Sequence, residues 1–114
     1  MFDRLFGGAP QIPSANVKET WTRVSDPKSR AVLLDVREVY EYKRGHAKGA
    51  VNLPLSQLGS RVNEIPKDRE VYIICASGNR SGQAVSFLKR HGYENTKNVL
   101  GGTITWQSQR LPME

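Results

Sequence analysis

Two apolar segments without polar alternation dominate the hydrophobic pattern of the chain. They are residues 31–36, Ala-Val-Leu-Leu-Asp-Val, and residues 71–75, Val-Tyr-Ile-Ile-Cys. Runs of this kind predict strands that are buried on both faces, as in a parallel sheet. Shorter runs predict two more strands at 51–53 and 98–100, and a short edge strand at 11–13.

Apolar positions at helical spacing predict helices between these strands. The predicted helices cover residues 16–24, 38–43, 56–65, 81–91 and 103–109. Asn16 and Glu19 have the spacing of a capping box at the first helix. Gly92 is expected to end the fourth helix in a left-handed conformation, with Tyr93 packing back on Leu88. Strands that alternate with helices predict an α/β domain with a mostly parallel central sheet flanked by helices.

Length and cysteine content limit the classes of protein that fit this pattern. The 114 residues suit one domain, and we interpret residues 1–10 as an N-terminal arm and 11–114 as the domain. A secretory signal is not recognisable and no apolar run approaches the roughly 20 residues of a membrane span, so we expect a cytoplasmic protein without a membrane partner. One cysteine and two histidines make a poor zinc set, and we expect neither a metal nor a cofactor.

The net charge of +6 raises the question of a nucleic-acid partner, because basic surfaces attract phosphate backbones. The basic residues are spread evenly along the chain, however, and form no block of five or six. This distribution favours a solvated basic surface that attracts small anions, and we expect no nucleic-acid partner.

Cys75 is the residue best suited to act as a reactive group. It ends a predicted strand, where α/β sheets bind ligands, and a short loop containing Gly78 and Arg80 leads from it into a helix. Such a loop can direct several backbone N–H groups into one concave space, which would lower the pKa of a thiol or hold an oxyanion. A lone cysteine is also often a small buried apolar residue, and position alone leaves both interpretations open.

Several short motifs follow one another in a recognisable order. They are LDVRE at 34–38, EY at 41–42, GHAKGA at 45–50, NLP at 52–54, CASGNRS at 75–81, GY at 92–93, LGG at 100–102 and Trp106. In this order and over nearly the whole chain, they resemble a single-domain rhodanese, a thiosulfate sulfurtransferase-like domain.

The resemblance implies a sulfurtransferase with a covalent cycle. Cys75 would take a sulfane sulfur from a donor such as thiosulfate, hold it as a persulfide, and pass it to cyanide or a thiol. The residues that would bind the substrate are Ala76, Ser77, Gly78, Asn79 and Arg80, through backbone amides and, at Arg80, a charge that attracts the anionic donor.

The resemblance also gives roles to residues outside the loop. Asp35 and Arg37 would support the site as a structural ion pair or hydrogen-bonding frame, and Ser81 would be a further supporting residue. His46 would serve in packing and in a turn, and would not be a catalytic base.

One departure from the family pattern affects the expected donor. Many active members carry a basic residue directly after the cysteine, where this chain has Ala76. Thiosulfate is therefore expected to be a poor donor, and a protein persulfide, glutathione persulfide or polysulfide is the alternative. The sequence leaves the oligomeric state open and favours a monomer.

Three other functions remain as alternatives. A phosphatase or arsenate reductase uses Cys-x5-Arg, whereas Cys75 and Arg80 give Cys-x4-Arg, a loop one residue too short for a tetrahedral oxyanion. A non-catalytic interaction module would typically lack the cysteine. A sulfur carrier that delivers its persulfide to a protein acceptor is not distinguishable by sequence from a free-standing enzyme.

Overall fold

A computed structural model describes residues 12–114 and contains one five-stranded sheet. The strands are β1 (Ser14–Ala15), β2 (Val32–Asp35), β3 (Val51–Asn52), β4 (Val71–Ile74) and β5 (Thr96–Val99). Their spatial order is β1-β5-β4-β2-β3, and every neighbouring pair is parallel. The prediction of an α/β domain with a parallel sheet is confirmed, and β4 lies at its centre.

Four α-helices connect and cover the strands. They are α1 (Val17–Val24), α2 (Val39–Lys43), α3 (Asn79–Arg90) and α4 (Gly102–Ser108), and within residues 12–114 none is long and apolar enough to cross a membrane. The predicted capping box is present, because Asn16 and Glu19 each accept the other's backbone N–H. At the end of α3, Gly92 has φ +87° and the Tyr93 N–H donates to the Leu88 carbonyl at 3.0 Å, as a Schellman motif requires.

The two faces of the sheet bury two separate apolar cores. Side chains alternate along β4, so Val71, Ile73 and Cys75 join the core beneath α3, whereas Tyr72 and Ile74 join the core that contains the fully buried Trp106 of α4. This alternation directs the Cys75 side chain towards the layer that contains α3.

The predicted helix over residues 56–65 is wrong. The structure has two short 3-10 helices there, Leu55–Gln57 and Val62–Glu64, separated by Gly59 and Ser60. Glycine and serine in the middle of a segment disfavour a continuous helix. The apolar spacing still indicates burial correctly, since Leu58 and Ile65 lie in the core.

The predicted edge strand also differs. The sequence predicts it at 11–13, but β1 consists of Ser14–Ala15. Pro13 contributes only its carbonyl, which accepts the Asn98 N–H at 2.9 Å. Proline has no backbone N–H, which disfavours a strand residue at that position. The N-terminal arm over residues 1–10 and Gln11 lie outside the described residues.

Candidate active site

Cys75 directly follows β4 and lies at the carboxyl ends of the parallel strands, where such sheets usually bind ligands. Its side chain is 1% exposed. The Sγ atom lies 3.1 Å from the Gly78 backbone nitrogen, which donates to it, and 3.2 Å from the Ser81 Oγ. The sulfur is therefore recessed among hydrogen-bond donors.

The loop between β4 and α3 is curled by glycine and held by a neighbouring helix. Gly78 has φ +104° and immediately precedes α3, a conformation that side-chain-bearing residues rarely adopt. The Cys75 carbonyl accepts from both the N–H and the hydroxyl of Thr103, at 2.8 and 3.1 Å, and the Ile104 N–H donates to the Ala76 carbonyl at 3.0 Å. The first turn of α4 thus fixes the first two residues of the loop.

Gly102 permits this close contact between α4 and the loop. A Cβ atom at Gly102 would lie 2.5 Å from the Cys75 carbonyl oxygen and 2.6 Å from the backbone of Ala76. Those distances are far below van der Waals contact, so only glycine fits without displacing the loop.

Two opposing influences set the pKa of the Cys75 thiol. Burial is the largest and acts to raise it. Hydrogen bonds from the Ser81 hydroxyl and from the N–H groups of Ser81, Gly78 and Ser77 act together in the opposite direction and outweigh burial, so the pKa lies below that of an ordinary thiol. This arrangement favours the thiolate, which is the nucleophilic form.

Arg80 occupies a different environment from the one expected. It belongs to the first turn of α3, and its Nη1 and Nη2 donate to the two carboxylate oxygens of Glu41 at 2.7 and 2.9 Å. This hydrogen bonding lowers the pKa of Glu41 to about 2. The pair joins α2 to α3, and the charge of Arg80 is balanced by a carboxylate instead of standing alone for a donor anion.

Asp35 and Arg37 form a buried ion pair at the end of β2. The Arg37 Nη2 lies 2.8 Å from the Asp35 Oδ2, and the Arg37 Nε lies 3.1 Å from both carboxylate oxygens. Nη2 also donates to the Gly45 carbonyl at 2.8 Å. Because these hydrogen bonds occupy the buried groups, the pair is suited to a structural role.

The remaining loop residues contribute backbone more than side chain. Ala76 is half-buried, and Ser77 and Asn79 are exposed. The predicted substrate-binding segment is therefore a single curl beside the sulfur, and the roles of its residues in binding stay predictions.

Among residues 12–114, neither histidine side chain hydrogen-bonds to the loop. The His46 ring stacks on Tyr42 and its Nδ1 lies 2.9 Å from the Tyr42 carbonyl. His91 lies at the end of α3, with Nδ1 2.8 Å from the Phe87 carbonyl. Residues 12–114 contain no group of three or more His, Cys, Asp or Glu side chains that could hold a metal ion.

Sequence reasoning missed Glu41, Gly102 and Asn98 as parts of this site. Glu41 falls in one of the recognised motifs, but a pattern of residues does not indicate which arginine it contacts. Asn98, near the end of β5, accepts a hydrogen bond from Ser81. Only the order of the strands places it beside the loop.

Comparison with known proteins assigns the chain to a family. Residues 16–109 match the family model of the Rhodanese-like domain. The chain belongs to this family. The predicted single-domain rhodanese resemblance is therefore confirmed.

Relatives of this rhodanese-like chain include proteins named as sulfurtransferases. A protein of Allochromatium vinosum named Sulfurtransferase is 40% identical over 91 residues, covering 80% of this chain and 84% of that protein. The Thiosulfate sulfurtransferase GlpE of Actinobacillus succinogenes is 37% identical over 84 residues, covering 74% and 76%.

The chain spans only part of the length of two other relatives. YrkF of Bacillus subtilis, whose name gives it a proposed role as a sulfur carrier protein, is 37% identical over 98 residues. The chain spans 52% of the length of YrkF and 61% of the length of YqhL from the same organism.

The solved structures confirm the fold. The crystal structure of a rhodanese-related protein from Thermoplasma volcanium superposes with a TM-score of 0.80 at 32% sequence identity, covering 90% of this chain and 97% of that one. The rhodanese-like fold is thus shared over nearly the whole of both chains.

Proposed function

We propose that this rhodanese-like domain is a sulfurtransferase that carries a sulfane sulfur as a persulfide on Cys75. The observation that carries the proposal is the recessed Sγ among N–H donors, with hydrogen bonds from Gly78 and Ser81 that favour the thiolate. The thiolate would attack the outer sulfur of a donor, and the leaving group would depart with the electron pair of the broken bond. The backbone N–H groups of the loop would then stabilise the charge on the outer sulfur of the persulfide.

The charge around the loop supports a preference for donors of low charge. Ala76 provides no positive side chain, and the guanidinium of Arg80 is bound to Glu41. Thiosulfate concentrates two negative charges on one compact ion and gains little from a balanced pair, whereas the reacting end of a persulfide or polysulfide chain carries at most one negative charge and needs less compensation. We therefore expect glutathione persulfide or polysulfide to be better donors than thiosulfate.

Steady-state sulfur transfer to cyanide tests this proposal. Thiocyanate formation is measured with thiosulfate, glutathione persulfide and polysulfide as separate donors. A persulfide cycle predicts ping-pong kinetics for wild type, and Cys75→Ser is expected to be inactive with every donor while its circular dichroism and melting temperature stay near wild type. Transfer by Cys75→Ser at the wild-type rate would refute the role of Cys75.

A specific surface feature favours a protein as the acceptor, as a sulfur carrier would require. Five large apolar side chains among the described residues are exposed, and four of them lie close in the chain to residues that contact the loop or Arg80. Val39 and Tyr40 begin α2, two residues or fewer from Glu41, while Leu100 and Ile104 lie on either side of the glycines that contact the loop. These four side chains are called the apolar rim below. Exposed apolar groups around a recessed sulfur suit an extended apolar segment that carries the accepting thiol.

Acceptors of matched chemistry test the apolar rim. One peptide carries a single cysteine flanked by leucines, and the second carries serines in place of the leucines. Ile104→Ser is expected to slow transfer to the leucine peptide several-fold without changing transfer to cyanide, because burial of each aliphatic side chain contributes about 1.5 kcal/mol or more. Val51→Ser is the matched control, because Val51 is 59% exposed on β3, away from the rim. Equal rates for the two peptides would contradict the protein-acceptor role.

A cytoplasmic location of the protein stays a prediction.

A further inference from the structure

The Ser81 hydroxyl lies between two groups that can each accept its proton. Its Oγ is 3.2 Å from the Cys75 Sγ and 2.6 Å from the Asn98 Oδ1. Ser81 is completely buried and Asn98 is 6% exposed. A hydroxyl has one proton, so it can donate to only one of these two acceptors at a time.

The orientation of the Asn98 amide shows which of the two acceptors receives the proton of the Ser81 hydroxyl. Its Nδ2 lies 3.2 Å from the Gly78 carbonyl oxygen. A carbonyl oxygen can only accept, so the NH2 side of the amide must face Gly78 and the oxygen must face Ser81. The short contact between Ser81 and Asn98 therefore requires the proton of the Ser81 hydroxyl.

We propose that Asn98 competes with Cys75 for the single proton of Ser81 and thereby sets how readily Cys75 carries a negative charge. With a neutral thiol, the chain of donors is complete: the S–H donates to Ser81, Ser81 to Asn98, and Asn98 to the Gly78 carbonyl. With a thiolate, the Ser81 hydroxyl turns to the sulfur, and the buried Asn98 Oδ1 loses its donor. Asn98 is thus a positioning residue that opposes the backbone N–H donors of the loop.

The competition has a consequence that rests on the proposed function. When the thiolate bonds to the sulfane sulfur of glutathione persulfide, the donor's S–S bond breaks and its electron pair leaves with the glutathione sulfur, which takes up the proton of the outer sulfur. The products are glutathione and a protein persulfide in which the negative charge lies on the outer sulfur and Sγ is a neutral divalent atom. Sγ then no longer needs the Ser81 proton, which returns to Asn98. The pair of Ser81 and Asn98 therefore favours the loaded persulfide over the free thiolate.

Charged groups near Cys75 do not differ between the variants that test this proposal. Arg80 on α3 is paired with Glu41 on α2, and Asp35 is paired with Arg37 at the end of β2. Helix α4 and the last two residues of β5 carry no charged side chain. Changes at Ser81 and Asn98 therefore report on hydrogen bonds to the sulfur against a constant electrostatic background.

The test is a double-mutant cycle read as the pKa of the Cys75 thiol. Asn98→Leu removes the competing oxygen at similar size, and the Gly78 carbonyl keeps the Gly82 N–H as a donor at 3.2 Å. We expect it to lower the pKa by about one unit, a tenfold gain in the ratio of thiolate to thiol, since a hydrogen bond to a charged group is released to the sulfur. In the Ser81→Ala background the same substitution is expected to leave the pKa unchanged. Because the chain has one cysteine, thiolate absorbance and the pH dependence of iodoacetamide alkylation report on it alone.

One control separates this mechanism from a change in loop shape, and a second Asn98 variant guards against misfolding. Thr103→Val removes a hydroxyl that contacts the Cys75 carbonyl but not the sulfur, and is expected to leave the thiol pKa near wild type. Asn98→Ala replaces Asn98→Leu if leucine prevents folding. An unchanged or raised pKa in the Asn98 variants, or an equal decrease with and without Ser81, would overturn the proposal.

The loading consequence has its own measurement. The equilibrium between thiolate and persulfide is measured with glutathione persulfide at a pH above the thiol pKa, and Asn98→Leu is expected to lower the loading constant about tenfold. An equal loading constant would refute the consequence. If wild type forms no persulfide with any donor, the proposed function fails, whereas the alkylation cycle still tests the competition because it needs no sulfur donor.

Discussion

The ends of β2 and β4 are neighbours at one edge of the sheet, yet they hold their polar groups in opposite ways. At the end of β2, the charge of Asp35 is matched by the charge of Arg37 and both are at least 90% buried. At the end of β4, Cys75 is equally buried, but the polar groups that contact its sulfur are hydrogen-bond donors without a charge, and Arg80 of the following helix is paired with Glu41.

The difference shows what separates a structural polar group from a reactive one in this fold. The charge of a buried carboxylate is balanced when a guanidinium binds it in a bidentate manner. Such a pair stabilises the loop that it joins and does not attract a charged ligand. A sulfur surrounded by donors without a counter-ion has its pKa lowered and remains free to form a bond. Variants at the two strand ends should therefore affect different properties.

The largest expected effect is on stability, at β2. Asp35→Asn leaves the buried Arg37 without its counter-charge, and we expect the free energy of unfolding to fall by about 3 kcal/mol or more. Urea denaturation at neutral pH measures the loss. Below the unfolding transition, alkylation of Cys75 should keep the wild-type rate.

Asp68→Asn is the matched control, because Asp68 also pairs with arginine but is 64% exposed. Its effect on stability should be much smaller than that of Asp35→Asn, because solvent screens an exposed ion pair. The reactivity of Cys75 in folded Asp35→Asn is compared with that in Gly102→Ala, which disturbs the loop. An equal decrease in the two variants would show that the two strand ends do not differ as argued.

The second effect is on both stability and reactivity, at β4. Gly102→Ala places a Cβ against the Cys75 and Ala76 backbone and puts alanine at φ +57°. We expect a loss of roughly 2 kcal/mol or more in stability, and a decrease in sulfur transfer of about tenfold or more as the donors move away from the sulfur.

Gly49→Ala separates backbone strain from the contact with the loop. Gly49 also has a positive φ, +89°, but a Cβ there would meet nothing within 4 Å. It should cost about 1 kcal/mol from strain alone and leave sulfur transfer at the wild-type rate. If both glycine variants reduce transfer equally, the close contact of α4 with the loop is not what shapes the site.

The smallest effect is expected at the ion pair between α2 and α3. Glu41→Gln removes the partner of Arg80 and should cost about 1 kcal/mol at neutral pH, because the pair is partly exposed. Since the pKa of Glu41 is lowered to about 2, this contribution is complete above the unfolded-state pKa near 4.5 and disappears as pH falls towards 2. The difference in urea stability between wild type and Glu41→Gln should therefore be smaller at pH 3 than at pH 7.

The same variant changes the preference among donors. A freed Arg80 charge should raise kcat/KM for thiosulfate relative to glutathione persulfide by roughly three- to tenfold at low ionic strength. The gain should shrink with added salt, because salt screens the charge. An unchanged ratio between the two donors would contradict the role given to the balanced charge of Arg80.

The sequence predicts the strands β2 to β5, four of the five helices and the position of Cys75, because these depend on local apolar patterns and on recognisable motifs. It does not predict the two 3-10 helices around Gly59, because apolar spacing indicates burial but not whether the backbone closes an α-helical turn. The partners Glu41 and Asn98 are also beyond sequence reasoning, since they come from elements 39 and 17 residues from Arg80 and Ser81. Only the parallel strand order places them beside the loop.

The most direct test of the central claim is the intact mass of the protein after incubation with glutathione persulfide, before and after addition of cyanide. The account predicts a gain of one sulfur atom, roughly 32 Da, on wild type, its removal by cyanide, and no gain on Cys75→Ser. No gain on wild type with glutathione persulfide, polysulfide or thiosulfate, or the same gain on Cys75→Ser, would contradict the claim that Cys75 carries sulfur.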